Sequence, residues 1–584
     1  MSDLQQFIHA LEEGRFARVV RWIVIVAICF FGLIMFVFDP FYKGLFKGLT
    51  HHKGMEQAAI AKQIASGNGF STRTIRPIAV AQMQANQRPL PSPESFPDTY
   101  YGPVWPATLA PFMLLFKGKW DMMPNDHVYV GDRIVTTVSA VFFFMGAIVA
   151  YWTIRRLFDA RIGMITLCLT LLAAIFWRYL STGLPQLQLF FFFGIAMYVM
   201  LRAVEARLNG GKTLGWLTLA AVLFGIMALT NGVTSWLFLG ALVFVGFYFP
   251  NRLAALPAMI AVFLLIVSPW LVRNYQLTGN PLGTGYFALL HQIRGSETDI
   301  MRGSDVEEMK LSPLHYRNKL QRGIQEQLGS LYENLGGCVV APLFFVALLH
   351  PFRRPEARAI RWLLLLTWLS AIVGSSLSRG EDTAQGLSST DFQLFFIPLF
   401  AAYGLAFLYV LWGRLEISSP LARTLLLIGV FLVSSLPMVN LVTASPRGIM
   451  AWPPYVPPYI GILAHWTGEK EIVASDMPWA VGWYANRTSL WVPRELRTLN
   501  EMHDYERLGA PIAGLHLTPI MSDQPLWSGV IKSSRDWVPF IMRSPTLPTN
   551  PFTTMEPLPI DGMSAYFTNS TGRARIERFK QRQE

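Results

Sequence analysis

The chain has 584 residues, enough for two or more domains, with 52% of them hydrophobic and only 15% charged. Its mean hydropathy of +0.36 excludes an ordinary soluble protein. A net charge of +12 raises nucleic acid as a partner and then excludes it, because Lys and Arg gather at the ends of apolar runs and no basic patch is interleaved with aromatics.

In chain order, "VVRWIVIVAICFFGLIMFVF" (Val19–Phe38) is long enough to cross a bilayer and lacks a small-residue cleavage site, so it reads as a retained span. Next comes "HKGMEQAAIAKQIASGNGFSTRTIRP" (His52–Pro77). Met55, Ala58, Ala59, Ala61, Ile64 and Ala65 recur at helical spacing, Gly67 and Gly69 stop the helix, and "FSTRTIRP" has strand character. The pattern predicts an amphipathic helix lying on the outer membrane surface. Glu56 has two readings: a favourable charge in a first helical turn, or a general base at the membrane interface. "VWPATLAPFMLLF" (Val104–Phe116) is too short to cross and carries Pro106 and Pro111, which predicts an interfacial or re-entrant segment.

Ten further spans are predicted near 133–154, 161–178, 184–203, 214–230, 233–249, 254–272, 337–350, 361–378, 391–412 and 421–441, making about eleven in all. With the N-terminus cytoplasmic, sixteen Lys and Arg fall on inside segments and two, Arg178 and Arg379, on the short outside connections. Cys29, Cys168 and Cys338 lie in or beside apolar runs and read as small buried hydrophobes, and no Cys/His spacing reads as a zinc site.

Three regions then lie outside: a first loop of about 39–132, a second of about 273–336, and a tail from about 442. The expected organisation is a membrane domain over 1–441 and an extracytoplasmic domain over 442–584. Proline-rich "AWPPYVPPYIG" (Ala451–Gly461) reads as a stiff linker between them. In the tail, Glu471–Asp476, Thr488–Pro493 and Ile512–Pro519 are strand-like runs separated by helical or polar segments, the pattern of a small α/β domain. The fold class is thus mainly α, a polytopic helical bundle with a small C-terminal α/β domain.

Five segments in order carry a resemblance. They are "QAAIAKQIASGNGF" (Gln57–Phe70), "YYGPVWPATLAPFMLLF" (Tyr100–Phe116), "DRIVTTVSAVFFFMGAIVAYWTIRRLF" (Asp132–Phe158), "PWLVRNYQLTGNPLG" (Pro269–Gly283) and "FIPLFAAYGLAFL" (Phe396–Leu408). Together with the tail's "SDMPWAVGWYANRTSLWVP" (Ser475–Pro493), they resemble the GT-C membrane glycosyltransferases. Within these they are most similar to glycosyltransferase family 39, the relatives of protein O-mannosyltransferases and of the enzyme that adds aminoarabinose to lipid A.

The resemblance implies a donor sugar on a polyprenyl phosphate and an acceptor hydroxyl on a lipid, glycan or protein. It also implies a multi-pass inner (plasma) membrane location with the tail periplasmic. No cofactor or tightly bound metal is expected, and nucleic acid is not a partner. Glu56 is the candidate base with Asp98 as the alternative. Arg273 is the first candidate for the lipid phosphate, Arg73 and Arg76 are further ones, and Tyr100 and Tyr101 would shape the sugar site. Arginine suits phosphate because its planar fork donates two hydrogen bonds.

Departures from the family pattern support a second reading. "GMEQ" stands near the place of an aspartate, with Lys53-Gly54 occupying it when the register runs back from Ile60-Ala61. "GLPQLQL" (Gly183–Leu189) stands where relatives show "SEPL", "LTNG" (Leu229–Gly232) where they show "LTR", and "STDFQLFFIPL" (Ser389–Leu399) lacks a late-span arginine. These changes fit a non-catalytic membrane subunit with partners in a membrane complex, as they fit a changed donor head group. A lipid carrier is a third reading.

Overall fold

The structure, a computed structural model, describes residues 15–38, 48–120, 122, 129–293, 295–304, 312–378, 387–414, 420–443, 457–504, 506–518, 537, 540, 551–558 and 564–583. Helix α1 (Arg15–Leu33) is followed by α2 (His52–Ser66), α3 (Pro77–Ala85) and α4 (Val104–Leu115). The bundle continues with α5 (Val130–Leu157), α6 (Ala160–Leu172), α7 (Ala174–Leu180), α8 (Gln186–Leu208), α9 (Leu214–Thr230), α10 (Ser235–Tyr248) and α11 (Arg252–Thr278). After the short α12 (Glu297–Met301) come α13 (Pro313–Gly329), α14 (Pro355–Ser378), α15 (Ile397–Arg414) and α16 (Pro420–Thr443).

Among the described residues six helical segments are long and apolar enough to cross a membrane. A seventh span is completed if α6 and α7, bent by 51° at their break, are counted as one. Apolar side chains on the outside of α1, Trp22, Ile23, Val26 and Phe30 among them, are exposed as a lipid-facing surface requires. The run expected as a span at 337–350 forms only a five-residue helix, Leu343–Ala347. Gly336 and Gly337 adopt φ of 70° and 68°, and Pro342 follows, so the backbone turns instead of rising. Helix α4, twelve residues long, buries Trp105, Leu109 and Met113 and exposes Leu114 and Leu115.

The tail and one strand of the first outer loop form a six-stranded sheet of order β1-β3-β2-β4-β6-β5. Strands β2 (Ile472–Ser475), β3 (Thr488–Trp491) and β4 (Ile512–Leu517) are the three runs read from the sequence. They pair in parallel, while β6 (Ala565–Thr568) is antiparallel to β4 and to β5 (Thr554–Pro557). The edge strand β1 (Thr74–Ile75) comes from the first outer loop, with Thr74 opposite Ser489 and Ile75 opposite Leu490. The part of the expected linker from 451 to 456 lies outside the described residues.

Two apolar cores result. One fills the bundle. The other joins Met55, Ile78 and Leu109 of the first loop and α4 to Val473, Trp483 and Leu515 of the tail. A shared core means that the tail is built onto the first loop and is not hung beside it.

Candidate active site

Helix α2 begins at His51, whose ring accepts a hydrogen bond from the Lys53 amide at 3.2 Å, and ends at Gly67 in the left-handed conformation. Every residue from Lys53 to Gln63 is buried. This corrects the expectation of a helix lying on the membrane surface. Its small residues let backbone approach on one side, and the tail roofs the other. A Cβ on Gly54 would stand 2.0 Å from the carbonyl oxygen of Thr182, so α2 lies directly on the turn after α7. The Trp105 indole donates to Gly183 in the same turn at 2.9 Å.

Glu56 therefore lies beyond the first helical turn and inside the protein, and the dipole explanation of its charge does not apply. Its Oε2 forms an ion pair with Arg76 and accepts from the Tyr101 hydroxyl at 2.7 Å, while Oε1 has no partner among the described residues. Arg76 directly follows β1 and caps α3 in extended conformation, so the sheet pairing of β1 sets where its guanidinium points. Its Nη1 stands 3.6 Å from Asp98 Oδ2, and the guanidinium lies 4.6 Å from the Tyr100 ring. Asp98 Oδ1 accepts from the amides of Tyr100 and Tyr101 at 3.0 and 2.8 Å. A void of about 10 Å³, roughly one water, adjoins Arg76 and Asp98 and is bounded by Thr72, Thr74, Thr99 and Thr284.

Arg273 sits on α11, which continues past it to Thr278 instead of opening a loop there. It is half-buried, donates to the backbone carbonyls of Asp98 at 2.9 Å and Phe70 at 3.3 Å, and lies 4.4 Å from the Trp270 ring. Five of the expected residues, Glu56, Asp98, Arg76, Tyr100 and Tyr101, thus make one cluster, and Arg273 holds its loop in place. Arg73 is not part of it: its guanidinium turns to Thr488 Oγ1 at 3.0 Å in the tail.

The structure adds Glu297, which sequence reading passed over. From α12 it pairs with Lys53 at 2.8 Å and accepts from the Tyr100 hydroxyl at 3.0 Å, extending the cluster into the second outer loop. It stands in "GSETD" with no local pattern to mark it, and its partner Lys53 is 244 positions away.

Burial pushes the Glu56 carboxyl above its ordinary range, against the pull of Arg76 and the Tyr101 hydroxyl. Burial also works against the charge of Arg76, but Glu56, Tyr101 and Asp98 together hold it firmly protonated. The Tyr101 hydroxyl is pushed well up by burial and by Glu56, so it serves as a donor. Chemically this is a carboxylate with one anchored oxygen and one uncommitted oxygen, beside a fixed cation. Such a group can take a proton next to a place where negative charge is held. Among the described residues no cluster of three or more His, Cys, Asp or Glu side chains could hold a metal ion.

The tail fixes this arrangement from above. Lys62 on α2 donates to the Trp483 carbonyl at 2.8 Å and lies 4.4 Å from its ring and 4.8 Å from that of Tyr129. Asp132, in the first turn of α5, accepts from the Trp483 indole at 2.6 Å and the Tyr484 hydroxyl at 3.1 Å.

Comparison with protein-family models and with curated proteins returned no match. Comparison with solved structures did. An ArnT of Cupriavidus metallidurans, bound to undecaprenyl phosphate, aligns at TM-score 0.55 and 13% identity over 95% of this chain and 98% of its own. Its apo form aligns at 0.54 over 94% and 97%. The archaeal oligosaccharyltransferase AglB of Archaeoglobus fulgidus, in complex with an inhibitory peptide and a dolichol-phosphate, aligns at 0.54 and 13% identity over 96% of this chain and 75% of its own. The chain has the GT-C fold of these glycosyltransferases and is a multi-pass membrane protein.

Proposed function

We propose that the protein is an integral-membrane glycosyltransferase that moves a sugar from a polyprenyl-phosphate donor to a hydroxyl acceptor on the extracytoplasmic side. The observation that carries this is the buried Glu56–Arg76–Asp98 cluster at the outer end of a GT-C bundle, with Arg273 bracing the same loop. In this reading the acceptor oxygen attacks the anomeric carbon and the bond from that carbon to the phosphate oxygen breaks. The electron pair leaves with the polyprenyl phosphate, and the acceptor proton passes to Glu56 Oε1. Arg76 and Arg273 hold the phosphate charge, Tyr101 steadies the other carboxylate oxygen, and Tyr100 lines the sugar. Asp98 keeps Arg76 in place and is the alternative base.

The membrane domain over 1–441 and the tail over 442–584 work as one assembly, because the tail supplies the partner strand of β1. The distribution of Lys and Arg supports a cytoplasmic N-terminus and a tail outside an inner (plasma) membrane. The acceptor hydroxyl belongs to a lipid, glycan or protein; the undecaprenyl phosphate and dolichol-phosphate held by the solved relatives support the polyprenyl-phosphate donor, and the inhibitory peptide held by one of them supports a protein acceptor.

One observation favours a second reading. Glu56 is buried and its Oε2 is taken by Arg76 and Tyr101, as in a structural ion pair of a non-catalytic subunit. The experiment that separates the two is incubation of purified protein in proteoliposomes with polyprenyl-phosphate sugars labelled in the sugar. Label appearing on a hydroxyl-bearing lipid, glycan or protein with matching release of polyprenyl phosphate is the expected result. No transfer from any donor, in membranes where the protein is folded and binds polyprenyl phosphate, establishes the non-catalytic reading instead.

A further inference from the structure

The bundle end away from the tail carries cations that the fold does not use. Helix α5 holds Asp132 against Trp483 of the tail in its first turn and is 28 residues long, roughly 40 Å at 1.5 Å per residue. Its far end, Leu157, therefore lies on the opposite side of the membrane domain from the Glu56 cluster. Two other candidate spans meet it there: α14 begins at Pro355 and α15 closes at Arg414.

The joints between the three are explicit. Arg354 donates from Nη1 to the carbonyls of Arg156 and Leu157 at 3.3 Å each. Tyr403 of α15 donates to the Ala357 carbonyl in the first turn of α14 at 2.7 Å, and the Phe158 and Phe352 rings pack on its ring at 5.0 and 5.5 Å.

On this base stand four arginines of one short stretch. Arg354, Arg358 and Arg361 are spaced i, i+4 and i+7, so they share one face of α14, and Arg353 precedes them. Arg353, Arg354 and Arg358 are exposed. Arg361 donates to the His350 carbonyl, and its buried Nε has no partner among the described residues. None of the four pairs with a carboxylate among the described residues. Of the carboxylates close by, Glu205 is held by Arg156 and Arg202, and Glu356 is half-buried in the first turn of α14. The His350 imidazole lies below its ordinary range through burial and then through Arg414 and Arg361, as a locally positive field requires. The amino end of α14 adds to that field, because its first amides have no partner within the helix.

The same surface is also apolar. Leu349, beside His350, is 86% exposed, and Trp362, beside Arg361, is 47% exposed with its ring 5.5 Å from that guanidinium. Cations bordered by exposed leucine and tryptophan at the ends of spans match a ligand that brings a phosphate and acyl chains together. A free anion would leave the apolar border unused.

We propose that the arginine face at the start of α14 is a binding site for an anionic phospholipid, whose headgroup accepts from Arg353, Arg354 and Arg358 while its acyl chains lie along Leu349 and Trp362. The planar guanidinium donates two parallel bonds to a phosphate, and Arg354 keeps its Nε and Nη2 donors for that purpose. With the N-terminus cytoplasmic, this lipid belongs to the inner leaflet. The site lies a membrane thickness from Glu56 and stands whether or not the protein transfers sugar.

The test is native mass spectrometry of the full-length, detergent-purified protein titrated with phosphatidylglycerol and with phosphatidylcholine of the same chains. Saturable binding of phosphatidylglycerol is expected, at least tenfold tighter than that of phosphatidylcholine and weakened by added salt. The double variant Arg353→Gln/Arg358→Gln should weaken it tenfold or more, while Arg133→Gln, a charge removed at the tail end, should change it less than twofold. Neither Arg353 nor Arg358 has a side-chain hydrogen bond to the fold, and Arg358→Gln alone carries the comparison should the double variant fail to fold. Equal binding of the two lipids, or equal phosphatidylglycerol binding by wild type and folded variant, would overturn the proposal. Displacement of phosphatidylglycerol by millimolar inorganic phosphate would make the ligand a free anion, and displacement by a polyglutamate peptide would make it an acidic protein segment; either overturns the lipid site.

Discussion

Arg76 pairs with two buried carboxylates, Glu56 and Asp98, and its replacement by methionine separates a charge-holding role from a packing one. At 3.6 Å and an effective dielectric of about 20, its attraction to Asp98 is about 5 kcal/mol, and that to Glu56 is at least as large. The cost of Arg76→Met cannot reach the sum, because a stranded carboxyl takes up a proton instead. From an ordinary value of 4.5 for a glutamate, protonation at pH 7 costs about 3 kcal/mol, at 1.36 kcal/mol per pH unit. A loss of about 3–5 kcal/mol is therefore expected at pH 7, as for other buried pairs broken on one side.

The pH dependence has a definite sign. Without Arg76 burial holds the folded-state value of Glu56 still further above the unfolded one, so the deficit is small near pH 4.5 and grows as the pH rises. Glu56→Gln alone costs about 1–3 kcal/mol, since Arg76 keeps Asp98. In the double variant the two losses are less than additive by at least about 1 kcal/mol. The assay is thermal or detergent-induced unfolding followed by tryptophan fluorescence at pH 5 and pH 8. Wild-type stability of Arg76→Met, or a deficit independent of pH, would refute the reasoning.

Gly54→Ala places a methyl 2.0 Å from the Thr182 carbonyl and is expected to cost about 3 kcal/mol or prevent folding, measured by yield and unfolding midpoint. Lys62→Met removes a buried cation from its place between Trp483 and Tyr129 and should cost about 2 kcal/mol, with faster proteolysis of the tail than in wild type. Burial holds Asp476 up at about 7, far above its ordinary 3.8. The ionised form therefore opposes folding: this term favours the native state below pH 3.8 and is lost as the pH rises to about 7, by up to about 4 kcal/mol. Asp476→Asn should accordingly stabilise the protein more at pH 8 than at pH 5. In the transferase reading, activity needs Glu56 ionised, and the acid limb of the pH–rate profile should lie above 4.5 because burial raises that carboxyl.

The bundle was legible because a span needs a long apolar run and little else. The same logic failed at 337–350, where Gly336, Gly337 and Pro342 break a run that composition alone would carry across. Strands β2, β3 and β4 were legible as apolar runs, being buried throughout. Strand β1 is two residues long, and β5 is the half-exposed "TMEP"; neither carries a local signal. Alanine spacing revealed α2 but not its surroundings, since no periodicity records that a domain more than 400 positions later packs on Lys62. The candidate cluster was found one residue at a time through resemblance. The pairing of Glu56 with Arg76 and of Lys53 with Glu297 is tertiary information, set by where β1 and α12 lie.

The central claim is that Glu56 takes the acceptor proton. Its most direct test is the single-turnover rate of sugar transfer from a labelled polyprenyl-phosphate donor at saturating donor, comparing wild type with Glu56→Gln in proteoliposomes. Glutamine keeps the size and a hydrogen bond to Tyr101 but cannot accept the proton, so the account predicts a rate lower by about a hundredfold or more with donor affinity little changed. Equal rates for the two proteins would contradict it and move the base to Asp98.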